Sequence, residues 1–141
     1  MAYQVRRQQV ISDDLELVGK DGEVQVCIHV EIHPENIAKA YNAAKNRIIK
    51  AQLAVKKGAA EDVFEAFGTA VLNMFEVVFG EENTKAIVDF YEDNYVEMAQ
   101  EMMPFITDVV APAIEAAVND RKKQLANNYH LTREQRRRLG I

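Results

Sequence analysis

The chain has 141 residues, 48% of them apolar and 28% charged, a balance that suits one globular domain, or one domain with a tail, and is too apolar for a disordered chain. No apolar run approaches the roughly 18–20 residues that cross a bilayer, so no membrane span is expected. The net charge of −5 conceals three blocks: +2 over residues 1–60, −13 over 61–120 and +6 over 121–141. The acidic middle opposes nucleic acid and anionic membrane. The basic end suits an acidic protein face, including that of another copy. Met1 to Ile11 holds Arg6 and Arg7 without a continuous apolar stretch, so no signal peptide is expected. The single cysteine, Cys27, excludes an internal disulfide and fits a reducing cytoplasm. Six glycines, three prolines and no tryptophan favour long helices over a many-turned β fold.

In chain order, residues 3–11 give a weak signal for a third strand, and Leu15–Val18 is a short apolar run. Gly19-Lys20-Asp21-Gly22 supplies hairpin turn chemistry. Val24, Val26, Ile28, Val30 and Ile32 then alternate strictly with Gln25, Cys27, His29 and Glu31, the period of a half-buried strand. A hairpin over 13–33 follows. Pro34 suits a first helical turn. Ile37, Tyr41, Ala44, Ile48, Ala51 and Val55 recur at helical spacing, which predicts an amphipathic helix to about Lys57, roughly 36 Å long at 1.5 Å per residue.

A second helix is expected from Glu61, with Val63, Phe64, Phe67, Ala70, Val71, Met74, Phe75 and Val78 as a wide apolar stripe at the centre of the core. Gly80 stops it, and Glu81-Glu82 open the next helix with charges that suit its N-terminus. A break is expected near Glu92-Asp93-Asn94. Pro104 is expected to start a new helix, and Pro112 to kink it or start another. Thr132 and Gln135 make a capping box before a short basic helix, Arg133 to Leu139, closed by Gly140. The fold class is therefore α+β and predominantly α-helical: a small N-terminal antiparallel sheet on four to five helices. One domain spans 1–125, with its helical part at 34–125, and a basic extension covers 126–141. Val26, Ile28, Val30, Ile48, Phe64, Phe67, Val71, Phe75, Ile87, Tyr91 and Ile114 are the expected core.

Candidate chemistry is thin. Cys27, His29, Glu31 and His33 share one strand face, a weak metal-ligand set with no second pair to complete it. Asp93, Glu97 and Glu101 are spaced by single helical turns, yet the chain has no Glu-x-x-His to complete a carboxylate-bridged metal site. Ser12 is the only serine and sits in no nucleophile or phosphate-binding motif. No enzyme activity and no cofactor are expected. Met98, Met102 and Met103 with Phe105 read first as core, and second as an adaptable surface for an amphipathic helix.

The stretch Val78-Phe79-Gly80-Glu81-Glu82-Asn83-Thr84-Lys85-Ala86-Ile87, followed by Asp89-Phe90-Tyr91 and Asn94-Tyr95-Val96-Glu97-Met98, resembles the tail assembly chaperones of long-tailed (siphophage and prophage) bacteriophages. Met103-Pro104-Phe105-Ile106 and Val110-Ala111-Pro112 fit the same pattern. The similarity covers about residues 60–125. It implies a mostly helical domain without catalysis, acting in the host bacterial cytoplasm on the tape-measure protein or tail tube protein during tail assembly. Phe64, Phe67, Phe75, Met98 and Met102 would offer the apolar partner surface, and Arg136, Arg137 and Arg138 a basic one. The alternative is a structural virion protein of the tail or neck that forms a homo-oligomeric ring.

Overall fold

A computed structural model describes residues 10–57, 61–128 and 133–140, together with Ala2 and Gln4. Most of the third strand expected over 3–11, and the capping residue Thr132, lie outside the described residues; of that stretch Gln4 and Val10 are described outside any strand, and Ile11 opens β1. Strands β1 (Ile11–Val18) and β2 (Val24–Ile32) form a two-stranded antiparallel sheet. They precede α1 (Pro34–Lys56), α2 (Glu61–Phe79), α3 (Glu81–Phe90), α4 (Tyr95–Phe105), a π-helical turn at Ile106–Val110, α5 (Ala111–Asn128) and α6 (Arg133–Leu139). The fold is α+β and predominantly helical.

Register explains why β1 is longer than its apolar run. Ile11 pairs with Ile32, Asp13 with Val30, Leu15 with Ile28 and Leu17 with Val26. The ladder offered by β2 thus extends β1 back through Ser12, Asp13 and Asp14, residues with little strand propensity of their own. One face of this sheet carries Leu17, Ile28, Val30 and Ile32 into the core. The other face, with Ser12, Asp14, Cys27, His29 and Glu31, meets solvent. Asn83 on α3 donates its side-chain amide to the His29 carbonyl at 2.9 Å, pinning that helix to β2.

The core is where the helices meet this sheet. Val71, Met74, Phe75 and Val78 of α2 pack with Tyr41, Ala44 and Ile48 of α1, Ile87 of α3, Met98 and Met102 of α4, and Ile114 of α5. Phe75 meets Phe79 edge-on at 5.4 Å, and Phe79 stacks on Phe105 at 6.0 Å. Val26, Phe67 and Tyr91 are half-buried at its margin. Phe64 departs from expectation: it is 55% exposed.

The α3–α4 break falls where expected. Glu92 and Asp93 take positive φ of 52° and 62°, and the Asn94 side chain caps α4 by accepting from the Glu97 amide at 3.1 Å. Pro104 does not start a new helix. It lies inside α4, and the chain runs on helically through Pro112. The adjustment is the π turn between the two prolines, in which the Ala111 amide bonds back to the Ile106 carbonyl, five residues away. That wider turn takes up the strain a proline puts on a regular helix. Helix α5 continues past residue 126, where the extension was expected to begin, to Asn128.

Candidate functional site

The apolar stripe of α2 defines the candidate surface. Phe64, Phe67, Val71, Phe75 and Val78 follow the three- and four-residue spacing of one helix face. The stripe is buried from Val71 onward, half-buried at Phe67 and open at Phe64. The cause lies in α4, whose first residue, Tyr95, packs on Gly68. A Cβ there would stand 2.9 Å from Tyr95 Cδ2, so only glycine admits the ring this close. Phe64 lies one helical turn beyond Gly68 toward the start of α2. The stripe therefore outruns the helix that covers it.

Of the side chains expected to meet a partner, Phe64 and Phe67 alone among the apolar ones are at or near the surface. Phe75 and Met98 are fully enclosed, and Met102 is 6% exposed. These three hold the core and have no face to give a partner. The spacing could not separate Phe75 from Phe64, because one stripe of α2 serves both the core and its uncovered end. On α6, Arg137 and Arg138 are exposed, with Arg138 3.4 Å from Glu134. The side chain of Arg136 lies outside the described residues.

A shallow groove of about 910 Å³ runs along the outer side of α1 and α2. Ala51, Ala54, Ala66 and Ala70 line its seam, Arg47 and Lys50 stand on the α1 wall, and Glu65 and Glu76 on the α2 wall. Arg47 donates to the Asn73 side-chain oxygen across the seam at 2.9 Å. A second hollow of about 640 Å³ joins the hairpin turn to the α3–α4 corner, between Gln25, Tyr91, Glu97 and Glu101. Burial, and then the nearby Glu101 and Glu97 carboxylates, push the Tyr91 hydroxyl above its ordinary pKa.

The polar face of the sheet holds an arrangement that spacing did not reveal. His29 Nδ1 is 2.7 Å from Asp14 Oδ1, and its Nε2 is 3.3 Å from Ser12 Oγ. The hydrogen bond to Asp14 raises the His29 pKa above 6.5, with the Asp14 and Glu31 charges adding to it against a lowering by desolvation. Strand pairing is what brings the three together, since Asp14 lies directly opposite His29. The order of groups is that of an acyl-transfer triad. The setting is not: the His29 and Asp14 side chains are 56% and 68% exposed, so water competes for every hydrogen bond and screens the charge.

The metal set reads differently in three dimensions. Cys27 is exposed, His29 is engaged by Asp14, and His33 stands at the start of α1, its carbonyl accepting from the Asn36 and Ile37 amides. Among the described residues no group of three or more His, Cys, Asp or Glu side chains is placed to hold a metal ion, and no helix is long and apolar enough to cross a membrane. No protein-family model matches this chain, and neither does any curated protein or solved structure.

Proposed function

We propose that this protein is a non-enzymatic assembly chaperone of the bacteriophage tail, which holds a helical segment of the tape-measure protein in the host cytoplasm while the tail tube polymerises. The resemblance of residues 78–98 to that family supplies the identity of the partner. The observation that carries the binding role is Phe64, an aromatic side chain left 55% exposed at the open end of a buried stripe.

Covering the rest of this ring would remove on the order of 100 Å² of apolar surface from water, about 2–3 kcal/mol. That is the size of an interface hot spot. A helix with apolar anchors at one-turn spacing would cover Phe64 and the open flank of Phe67 together. The acidic block keeps the loaded complex apart from nucleic acid. The arginines of α6 give an acidic partner segment a second point of attachment.

The test is co-expression with the tape-measure protein of the same phage, followed by affinity capture. Phe64→Ser is expected to reduce capture at least tenfold at a temperature where circular dichroism shows the free variant still folded, although its thermal midpoint falls by several degrees with the loss of the covered part of the ring. Undiminished capture by this variant would refute the role of the stripe. Mass spectrometry of purified virions is expected to find no peptide of this chain, such as that spanning Ala86 to Arg121, although it is abundant in the lysate. Stoichiometric presence would instead make it a structural component of the tail or neck.

A further inference from the structure

We infer that two copies of this chain pair through the outer face of α1 and α2, forming a four-helix layer around a two-fold axis. The inference rests on the charge pattern of the groove and not on the Phe64 surface. The seam is built from Ala51, Ala54, Ala66 and Ala70, small side chains that let another pair of helices approach closely. Its walls carry opposite charge: Arg47 and Lys50 on α1, Glu65 and Glu76 on α2. All four side chains belong to exposed residues. Among the described residues, Lys50, Glu65 and Glu76 make no ion pair.

A face with one basic and one acidic wall is complementary to itself. A two-fold axis running along the two helices lays α1 of each copy on α2 of the other, antiparallel, with heights along the axis preserved. Arg47 is level with Asn73, to which it is bonded. Glu76 of the second copy then stands within one helical turn of Arg47, and Lys50 faces the same acidic wall. Each pairing occurs twice. A layer about 28 Å long and about 20 Å wide gives a footprint on the order of 550 Å² per copy, at the small end for a specific complex. The pair is therefore concentration-dependent.

The charges permit a decisive exchange. Lys50→Glu makes the α1 wall less basic, and Glu65→Lys with Glu76→Lys makes the α2 wall basic. Arg47 is left alone because it ties α1 to α2. In sedimentation velocity over a concentration series, the wild-type chain is expected to move from the mass of one copy toward that of two. Each variant alone should weaken pairing at least tenfold, with an unchanged circular dichroism spectrum. An equal mixture of the two variants should pair more tightly than either variant alone, because one of its two seams then sets an intact basic α1 wall on an intact acidic α2 wall. A wild-type chain that stays at one copy up to several hundred micromolar would overturn the inference. So would variants that pair as well as the wild type, or a mixture that pairs no better than either variant alone. If the chain is single and the charge variants lose capture of the tape-measure protein instead, the groove belongs to a foreign helix and the pairing is refuted.

Discussion

Phe64 and Phe75 lie on one stripe of one helix, and replacing each by alanine separates the surface end of that stripe from its core. Phe75 is 0% exposed and meets Phe79 edge-on at 5.4 Å. A buried phenylalanine removes about 200 Å² from water, and its truncation in a core costs about 3–5 kcal/mol once the cavity is included. Phe64 keeps under half of its surface covered, so Phe64→Ala gives up about 90 Å², or about 2 kcal/mol. The expected order is Phe75→Ala worse than Phe64→Ala by about 1–3 kcal/mol. Urea unfolding followed by far-UV circular dichroism measures it, with equal slopes showing that the same surface is exposed in each variant. Should Phe75→Ala leave too little folded protein, the pair Phe75→Leu and Phe64→Leu keeps the ordering measurable. Equal costs at the two positions would refute the claim that the stripe outruns its cover, and with it the physical basis for a partner at Phe64.

Thr84 is 2% exposed and its hydroxyl has no hydrogen-bond partner among the described residues, so the isosteric Thr84→Val should stabilise the fold by about 1 kcal/mol; a loss in the same urea assay would mean that the hydroxyl is satisfied. Gly68→Ala gains about 1 kcal/mol of helix propensity but sets a Cβ 2.9 Å from the Tyr95 ring, an overpacking cost of about 1–3 kcal/mol. A net loss is expected, and adding Tyr95→Ala should make the alanine favourable. His29 should titrate above 6.5 by NMR, and Asp14→Asn should bring it back down. Because its folded pKa is raised, the stabilising contribution of His29 is complete below 6.5 and lost as pH rises through the folded value. The stability gap between wild type and Asp14→Asn should close over that window, and a pH-independent gap would sink the pairing.

Most of the fold was legible in local chemistry. Strict alternation from Val24 to Ile32 placed β2, Pro34 opened α1, and Gly80 with Glu81 and Glu82 separated α2 from α3. What escaped was decided by neighbours distant in sequence. The first half of β1 is polar, and it is a strand because β2 offers it a ladder. Pro104 reads as a helix boundary and Pro112 as a kink or a boundary, since sequence shows the missing amide but not the π turn that accommodates it. The candidate site was half legible for the same reason. Periodicity put Phe64, Phe67 and Phe75 on one face, and only the position of Tyr95 against Gly68 decides where that face stops being core. The Ser12–His29–Asp14 trio depends on strand register, so no spacing along the chain could announce it.

The Phe64 surface and the α1–α2 groove use different sides of α2. Phe64 belongs to the stripe that continues into the core, whereas Glu65, Thr69 and Glu76 lie on the outer side, each about 100° or more around the helix from that stripe. Pairing through the groove therefore leaves Phe64 open on both copies. A pair of copies presents two such ends at a fixed separation, and a long helical partner with repeated apolar anchors can engage both. Once the first end is bound, the second binds at an effective concentration set by the pair's geometry, without any new contact. That is how a site worth about 2–3 kcal/mol per ring can hold a partner while each individual contact stays weak enough to release it. Charge variants that abolish pairing should accordingly weaken capture of a long tape-measure segment, yet leave capture of a single-anchor peptide unchanged. Equal effects on the two ligands would show that the copies bind independently.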